Sequence, residues 1–204
     1  MSTASPGPSL EQRLAFLLSV VLSPFLVVPF FCVVLAQELA RSRPEFYLLS
    51  ALCIVFSIGV PMAYIAWHVW HGNITDMHVR EREQRSAPYR AGILGLGSLS
   101  LVLYSIDGPL DLTRVALVMG LQGIVFERIN RRTKISMHTG VLAAMLGCAI
   151  EICRWSPHCL WSLVPLIWAR TVRKRHHVLQ GVAGAGLGYG LTVYPLRLMR
   201  YIWG

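Results

Sequence analysis

The sequence predicts an all-α fold, a polytopic transmembrane bundle of about six to seven helices. Three observations carry this expectation. Only 14% of the 204 residues are charged, against about 25% in a typical soluble domain. Mean hydropathy is +0.53. Two runs, Leu14 to Ala36 and Phe46 to Trp67, contain no formal charge. Each is long enough to cross a hydrocarbon core of roughly 30 Å, which takes about 20 helical residues. Backbone in lipid satisfies its own hydrogen bonds, so such runs are expected to be helical.

Taken in chain order, residues 1–12 read as a disordered tail, because MSTASPGPSL is rich in Ser, Pro and Gly. Residues 13–204 read as a single transmembrane domain. The first apolar run is too long for a secretory h-region and shows no small-residue cleavage pattern, so it reads as a retained helix. Pro24, Pro29 and Pro61 fall inside the two long runs and read as kinks. Five further apolar runs follow: Ala91 to Ile106, Val115 to Phe126, Ile135 to Ile150, Trp155 to Ala169 and Val178 to Leu196. The middle runs are shorter than a full span, and their helices are expected to lean on polar interior surfaces or extend through the charged residues that flank them. Trp67, Trp70, Trp155, Tyr201 and Trp203 stand near run ends, as interfacial anchors do. The segment GVAGAGLGYG from Gly181 to Gly190 has no strand before it, so close helix packing through small residues explains it better than a phosphate loop.

The formal net charge of +9 sits in short loops between apolar runs. That placement points to anionic lipid, phosphate ligands or orientation signals, and away from nucleic acid. Cys32, Cys53 and Cys148 lie in apolar runs and read as buried small hydrophobes. Cys153 and Cys159 flank a short loop and form a C-x5-C pair able to close a disulfide on an oxidising side. No cysteine or histidine spacing suggests zinc.

Three polar stretches interrupt the apolar pattern: His71 to Arg90, Glu127 to Lys134 and Ala169 to His177. Two helices separate each from the next, so all three fall on one membrane face. Ordinary positively charged loops would look similar, but the residues within them suggest chemistry. Arg170 is followed by His176, and Gln180 lies four positions further on. If the last helix begins near His176, the amide and the imidazole share a face one turn apart. The amide then fixes one ring nitrogen and aims the other at a substrate. Lys134, Ser136 and His138 alternate at the start of an apolar run, where helix N–H groups favour anions. Arg80, Arg82 and Arg85 are suited to bidentate contacts with phosphate oxygens. Cations, two separated histidines and a hydroxyl are the parts that phosphoryl transfer through a phosphohistidine requires.

At these positions the chain resembles the type 2 phosphatidic acid phosphatase and haloperoxidase superfamily, whose motifs are K-x6-R-P, P-S-G-H and S-R-x5-H-x3-D. The third matches best, with Arg170 and His176 in register and Gly181-Val182-Ala183-Gly184 following. The second reads Ile135-Ser136-Met137-His138, and the first corresponds only loosely to Arg80 through Pro88. The resemblance covers about 110 residues, from 76 to 184. It implies a membrane hydrolase that releases phosphate from a lipid phosphate or an isoprenoid (polyprenyl) diphosphate, with no metal or other cofactor. By the same resemblance His176 is the nucleophile, His138 the general acid, and Ser136 and Arg170 the phosphate ligands, helped by Lys134, Arg82 and Arg85. The sequence departs from the family at Gln180, where the motif has Asp, and at Met137, where it has Gly. His177 is the alternative to His176 should the register shift by one.

Two other classes stay open. A non-catalytic relative would bind or transport lipid phosphate on the same scaffold, and Gln180 is the residue that separates it from an enzyme. A membrane prenyltransferase would bind magnesium diphosphate through Asp76, Asp107 and Asp111, which here form no dense cluster. The expected location is the bacterial inner (plasma) membrane. Of the 19 Lys and Arg residues, Arg41, Arg43, Arg114, Arg154, Arg197 and Arg200 fall on the face away from the motifs. The positive-inside rule therefore puts the motif face in the cytoplasm, whereas the family resemblance implies the outer face.

Overall fold

The computed structural model describes residue 7, residues 9–73 and residues 86–203, with side chains from residue 89 onward in the second segment. Among these residues the chain is helical, with no strand. Helix α1 spans Leu10–Val21 and α2 spans Pro24–Leu39. Helix α3, Arg43–Ile54, runs through a π-helical turn, Val55–Gly59, into α4, Val60–Trp70. Then come α5 (Ser86–Ser105), α6 (Leu110–Arg132) and α7 (Met137–Ile152). A short 3₁₀ helix, Pro157–Ser162, leads into α8 (Leu163–Val172), and α9 (Val178–Trp203) is the last described helix.

Each apolar run of the sequence is mostly helical, α6 extends through its flanking charges as expected, and two boundaries differ from expectation. Helix α1 begins at Leu10, so residues 10–12 belong to it and not to a tail. The cause is local: the Ser9 hydroxyl accepts the Gln12 N–H at 3.3 Å, and the Gln12 side chain accepts the Ser9 N–H at 3.1 Å. This is a capping box. The run from Leu14 to Ala36 is not one helix, because α1 and α2 meet at 43°. Pro24 stands in the first turn of α2, where its missing N–H costs nothing and its fixed φ starts a helix. Helix α6 outgrows its apolar centre at both ends, and Glu127 near its C-terminus pairs with Arg131 one turn on at 2.7 Å.

Among the described residues, helices α3 and α4 together make the one helix long and apolar enough to cross a membrane, Arg43–Trp70, of 28 residues. The bent α1–α2 pair passes the same test as a unit. The π turn in α3–α4 precedes Pro61, which gives that turn a cause. Gly95 of α5 lies directly against the Phe56 carbonyl of this turn, and a Cβ there would collide with it.

Helix α7 is the central rod. Leu142, Ala143, Ala144, Met145, Leu146, Cys148 and Ala149 are all buried. It lies against α9 at backbone distance, because a Cβ on Gly188 would reach the Gly140 carbonyl and come within 2.8 Å of Gly140 Cα. The glycine run is therefore a packing face, as its composition predicts. Gly188→Val is expected to destabilise the protein by about 3 kcal/mol, since the collision is with backbone that cannot step aside. Thermal unfolding of the purified variant measures this.

Cys32, Cys53 and Cys148 are buried as predicted, whereas Cys153 and Cys159 are free thiols half-buried against the core. The disulfide that this pair is able to close is open here, with both thiols free. The end of the bundle near these two residues is tied by ion pairs. Arg200 holds both carboxylate oxygens of Asp111, at 3.0 and 2.6 Å, and donates to the Glu151 carbonyl at 2.9 Å. Arg197 grips the Glu151 carboxylate at 3.1 and 2.7 Å.

Candidate active site

The other end of the bundle collects the candidate residues from the start of α7, the end of α8 and the start of α9. Two of the three polar stretches therefore meet as the helix parity predicts. Arg80, Arg82 and Arg85 of the first stretch lie outside the described residues, as do Asp76 and His78. The segment just after them reaches the site: Asn130 of α6 donates to the Tyr89 hydroxyl of α5 at 3.1 Å and accepts the Ile135 N–H at 3.3 Å.

The spacing of Arg170 and His176 has a backbone explanation. Helix α8 ends in a Schellman turn. The Lys174 N–H donates to the Thr171 carbonyl at 2.8 Å, and the Arg175 N–H donates to the Arg170 carbonyl at 3.0 Å. The His176 N–H points at that same carbonyl at 3.4 Å. Arg170 and His176 are thereby held at opposite ends of one closed turn. Lys174 occupies the left-handed position of the turn, with φ 52°, where glycine is usual. Lys174→Gly is expected to raise stability by about 1 kcal/mol by removing the Cβ penalty, read as a higher midpoint in thermal unfolding.

His176 is half-buried and His177 exposed, which favours His176 as the side chain turned into the site. His176 Nδ1 lies 3.3 Å from Gln180 Oε1. A carbonyl oxygen only accepts, so this contact is a hydrogen bond when Nδ1 carries the proton, and in the neutral ring that leaves the lone pair on Nε2. Gln180 Oε1 also accepts the His177 N–H at 3.1 Å. With α9 beginning at Val178, Gln180 is its third residue, and this second contact is half of a capping box. The amide therefore has a structural role beside its orienting one.

Ser136 and Thr139 join α7 to α9. The Ser136 N–H donates to the Gln180 carbonyl at 3.1 Å, and the Thr139 hydroxyl donates to the Gly181 carbonyl at 2.8 Å. Gly184 packs against the Ser136 carbonyl and lies close to the Thr139 hydroxyl, which leaves no room for a side chain there. Ser136 is fully buried, yet its Oγ has no hydrogen-bond partner, and neither has the buried Nε of Arg170. Ser136 stands at the N-cap of α7 without capping it. Such orphaned groups ask for a ligand or water. His138, in the next turn, is half-buried, and burial first, then the nearby charges of Arg170 and Arg173, work against its protonated form, which a bound phosphate anion would favour. Burial and the neighbouring Arg175 charge lower the pKa of Arg173 itself. Lys134 is exposed, two residues before Ser136, and so stands at the rim of the site.

Sequence reasoning missed Asn130, Thr139 and Tyr89. Their signal is positional only: polar side chains one turn from a helix end, whose partners lie on other helices. Asp107 and Asp111 are at the opposite end of the bundle, where Arg41 donates to the Asp107 carbonyl at 3.2 Å and both oxygens of Asp111 are held by Arg200. Among the described residues no group of three or more His, Cys, Asp and Glu side chains is placed to hold a metal. Comparison with known protein families, curated proteins and solved structures returns no match for this chain.

Proposed function

We propose that this protein is a polytopic membrane phosphatase of the type 2 phosphatidic acid phosphatase kind, hydrolysing a lipid phosphate or polyprenyl diphosphate through a phosphohistidine. The observation that carries the reading is the orphaned Ser136 hydroxyl, buried two residues before His138, in a residue whose N–H is bonded to the carbonyl of Gln180, the partner of His176. A phosphate group supplies what that hydroxyl and the Arg170 Nε lack, and its negative charge offsets the cations gathered around His138.

In the proposed reaction His176 Nε2 attacks phosphorus and the bond from phosphorus to the leaving oxygen breaks. His138 gives that oxygen its proton. Water then attacks the phosphohistidine, His138 takes a proton from it, and inorganic phosphate leaves. Arg170, Ser136 and the first-turn N–H groups of α7 hold the equatorial oxygens. Phosphate release from lipid phosphates by the purified protein, compared with His176→Ala, tests the proposal.

The membrane part of the reading rests on the exterior. Phe25, Leu26, Phe30, Tyr47, Leu48, Val55, Leu94 and Leu101 all face outward and are exposed. Apolar surface of this extent belongs against lipid. Trp67 and Trp70 are exposed at the site end, and Tyr201 and Trp203 at the other, as two interfacial belts require. For sidedness, we expect the site end to face the cytoplasm. In a background with Cys153 and Cys159 replaced by Ser, Arg132→Cys should resist an impermeant maleimide in intact cells and Ser156→Cys should react. Both positions are exposed. The reverse pattern places the site outside.

A second reading is favoured by Gln180, whose neutral amide stands where the family motif has a carboxylate: a lipid-phosphate-binding or transport protein without turnover. The prenyltransferase alternative has less to support it, because Asp111 is already engaged by Arg200 and Arg114.

A further inference from the structure

Beside the candidate active site, α1 packs against α8 and the turn that follows it. Between them lies a groove of about 600 Å³ lined by Gln12, Arg13, Phe16, Val172, Arg173, Lys174 and Arg175. Four of the seven lining residues are cationic, and none is acidic. They come from two places distant in sequence, Arg13 from the first turn of α1 and the other three from the Schellman turn. Arg173 lies over the Phe16 ring, 4.9 Å from its centroid, which fixes one guanidinium at the wall of the groove. The groove opens beside an apolar surface, since Leu10, Leu14, Leu17, Val20 and Val21 of α1 are all exposed. Among the described residues these cations meet no carboxylate in the groove, and of the four only Arg173 also acts on the candidate active site, through its charge near His138.

We infer that the α1–α8 groove is a binding site for the headgroup of an anionic diacyl phospholipid, held by Arg13, Arg173, Lys174 and Arg175, with its acyl chains along the apolar face of α1. The argument is charge complementarity together with continuity. A cationic groove between helices at the membrane boundary attracts phosphodiester headgroups, and the adjoining apolar strip of α1 suits the chains and not a soluble anion. The site is separate from the Ser136 and His176 pair. The inference rests on the membrane part of the proposed function and not on the phosphatase chemistry.

The test uses the full chain purified in a neutral detergent, with binding read as the rise in unfolding midpoint on adding lipid. Phosphatidylglycerol, phosphatidylcholine and soluble glycerol 3-phosphate are compared. Phosphatidylglycerol should stabilise the protein and the other two should not. Arg13→Gln with Arg175→Gln should weaken the phosphatidylglycerol response about tenfold, as expected for the loss of two charge-assisted contacts. Arg128→Gln with Arg132→Gln removes the same charge from exposed positions at the same end of the bundle, outside the groove, and should leave the response unchanged. Equal loss in both double variants would mean diffuse attraction and overturn the site. An equal response to glycerol 3-phosphate would show a phosphate site and overturn the lipid assignment. His176→Ala should keep the full response, so failure of the phosphatase proposal and failure of the groove are read separately. A chain that stays soluble without detergent would overturn the membrane reading itself.

Discussion

Replacing His176 with alanine should lower phosphate release by at least about 10³-fold, as removal of a covalent nucleophile does in other enzymes. It should also abolish any acid-labile phosphoenzyme. The structure makes this variant interpretable. His176 lies in the turn between α8 and α9, and what holds it there is its backbone N–H, aimed at the Arg170 carbonyl at 3.4 Å. Alanine keeps that contact and loses only the side-chain bond to Gln180, so the turn and its spacing survive and the unfolding midpoint should fall only slightly. His138→Ala is the companion. It should slow substrates with poor leaving groups much more than those with good ones, because only the former need the proton. Full activity in His176→Ala would remove His176 as the nucleophile. His177, exposed one residue on, would then be the next position to vary.

The helices were legible in the sequence because their signal is long. A run such as Phe46 to Trp67 leaves no alternative to a helix, and the shorter apolar runs are mostly helical too, Trp155 to Ala169 as a 3₁₀ helix followed by α8. Helix ends were less legible, since they depend on single side chains. Ser9 with Gln12, and Pro24 at a first turn, decide where α1 and α2 begin, and both motifs are easily passed over beside an apolar run of this length. The meeting of the second and third basic stretches followed from counting helices, because an even number between two segments returns the chain to the same end. What counting does not give is contact. That Asn130 bridges Tyr89 and Ile135 depends on the packing of α5 and α6, and that Ser136 bonds the Gln180 carbonyl depends on how closely α7 and α9 approach. Gly140, Gly184 and Gly188 set that approach. The glycines are visible in the sequence as a composition, but their partners across the interface are not. The role of Gln180 was half legible: its distance from His176 follows from helix periodicity, and its capping contact depends on α9 starting at Val178 and not at His176.

Gln180→Glu should raise the rate of phosphate release about tenfold. The expectation comes from how the amide is used. Oε1 accepts the His177 N–H at 3.1 Å and stands 3.3 Å from His176 Nδ1. Both neighbours are donors, so a carboxylate of the same length satisfies both without moving. When Nε2 takes up phosphorus the imidazole gains positive charge, and the Nδ1–H then donates to an anion instead of a neutral oxygen. A hydrogen bond to a charged group is worth about 1 to 2 kcal/mol more than a neutral one, and 1.36 kcal/mol is a factor of ten in rate. The capping role provides the control. Glu at the third position of α9 keeps the bond to the His177 N–H and places negative charge at a helix N-terminus, so stability should hold or rise slightly. Gln180→Ala loses both contacts and should cost about 1 kcal/mol of stability along with activity. Gln180→Asp restores the charge on a shorter side chain and should gain less than Glu. If Glu and Asp both cut the rate while leaving stability intact, the site works around a neutral amide. If neither supports any turnover and yet lipid phosphate still binds, the binding-protein reading stands.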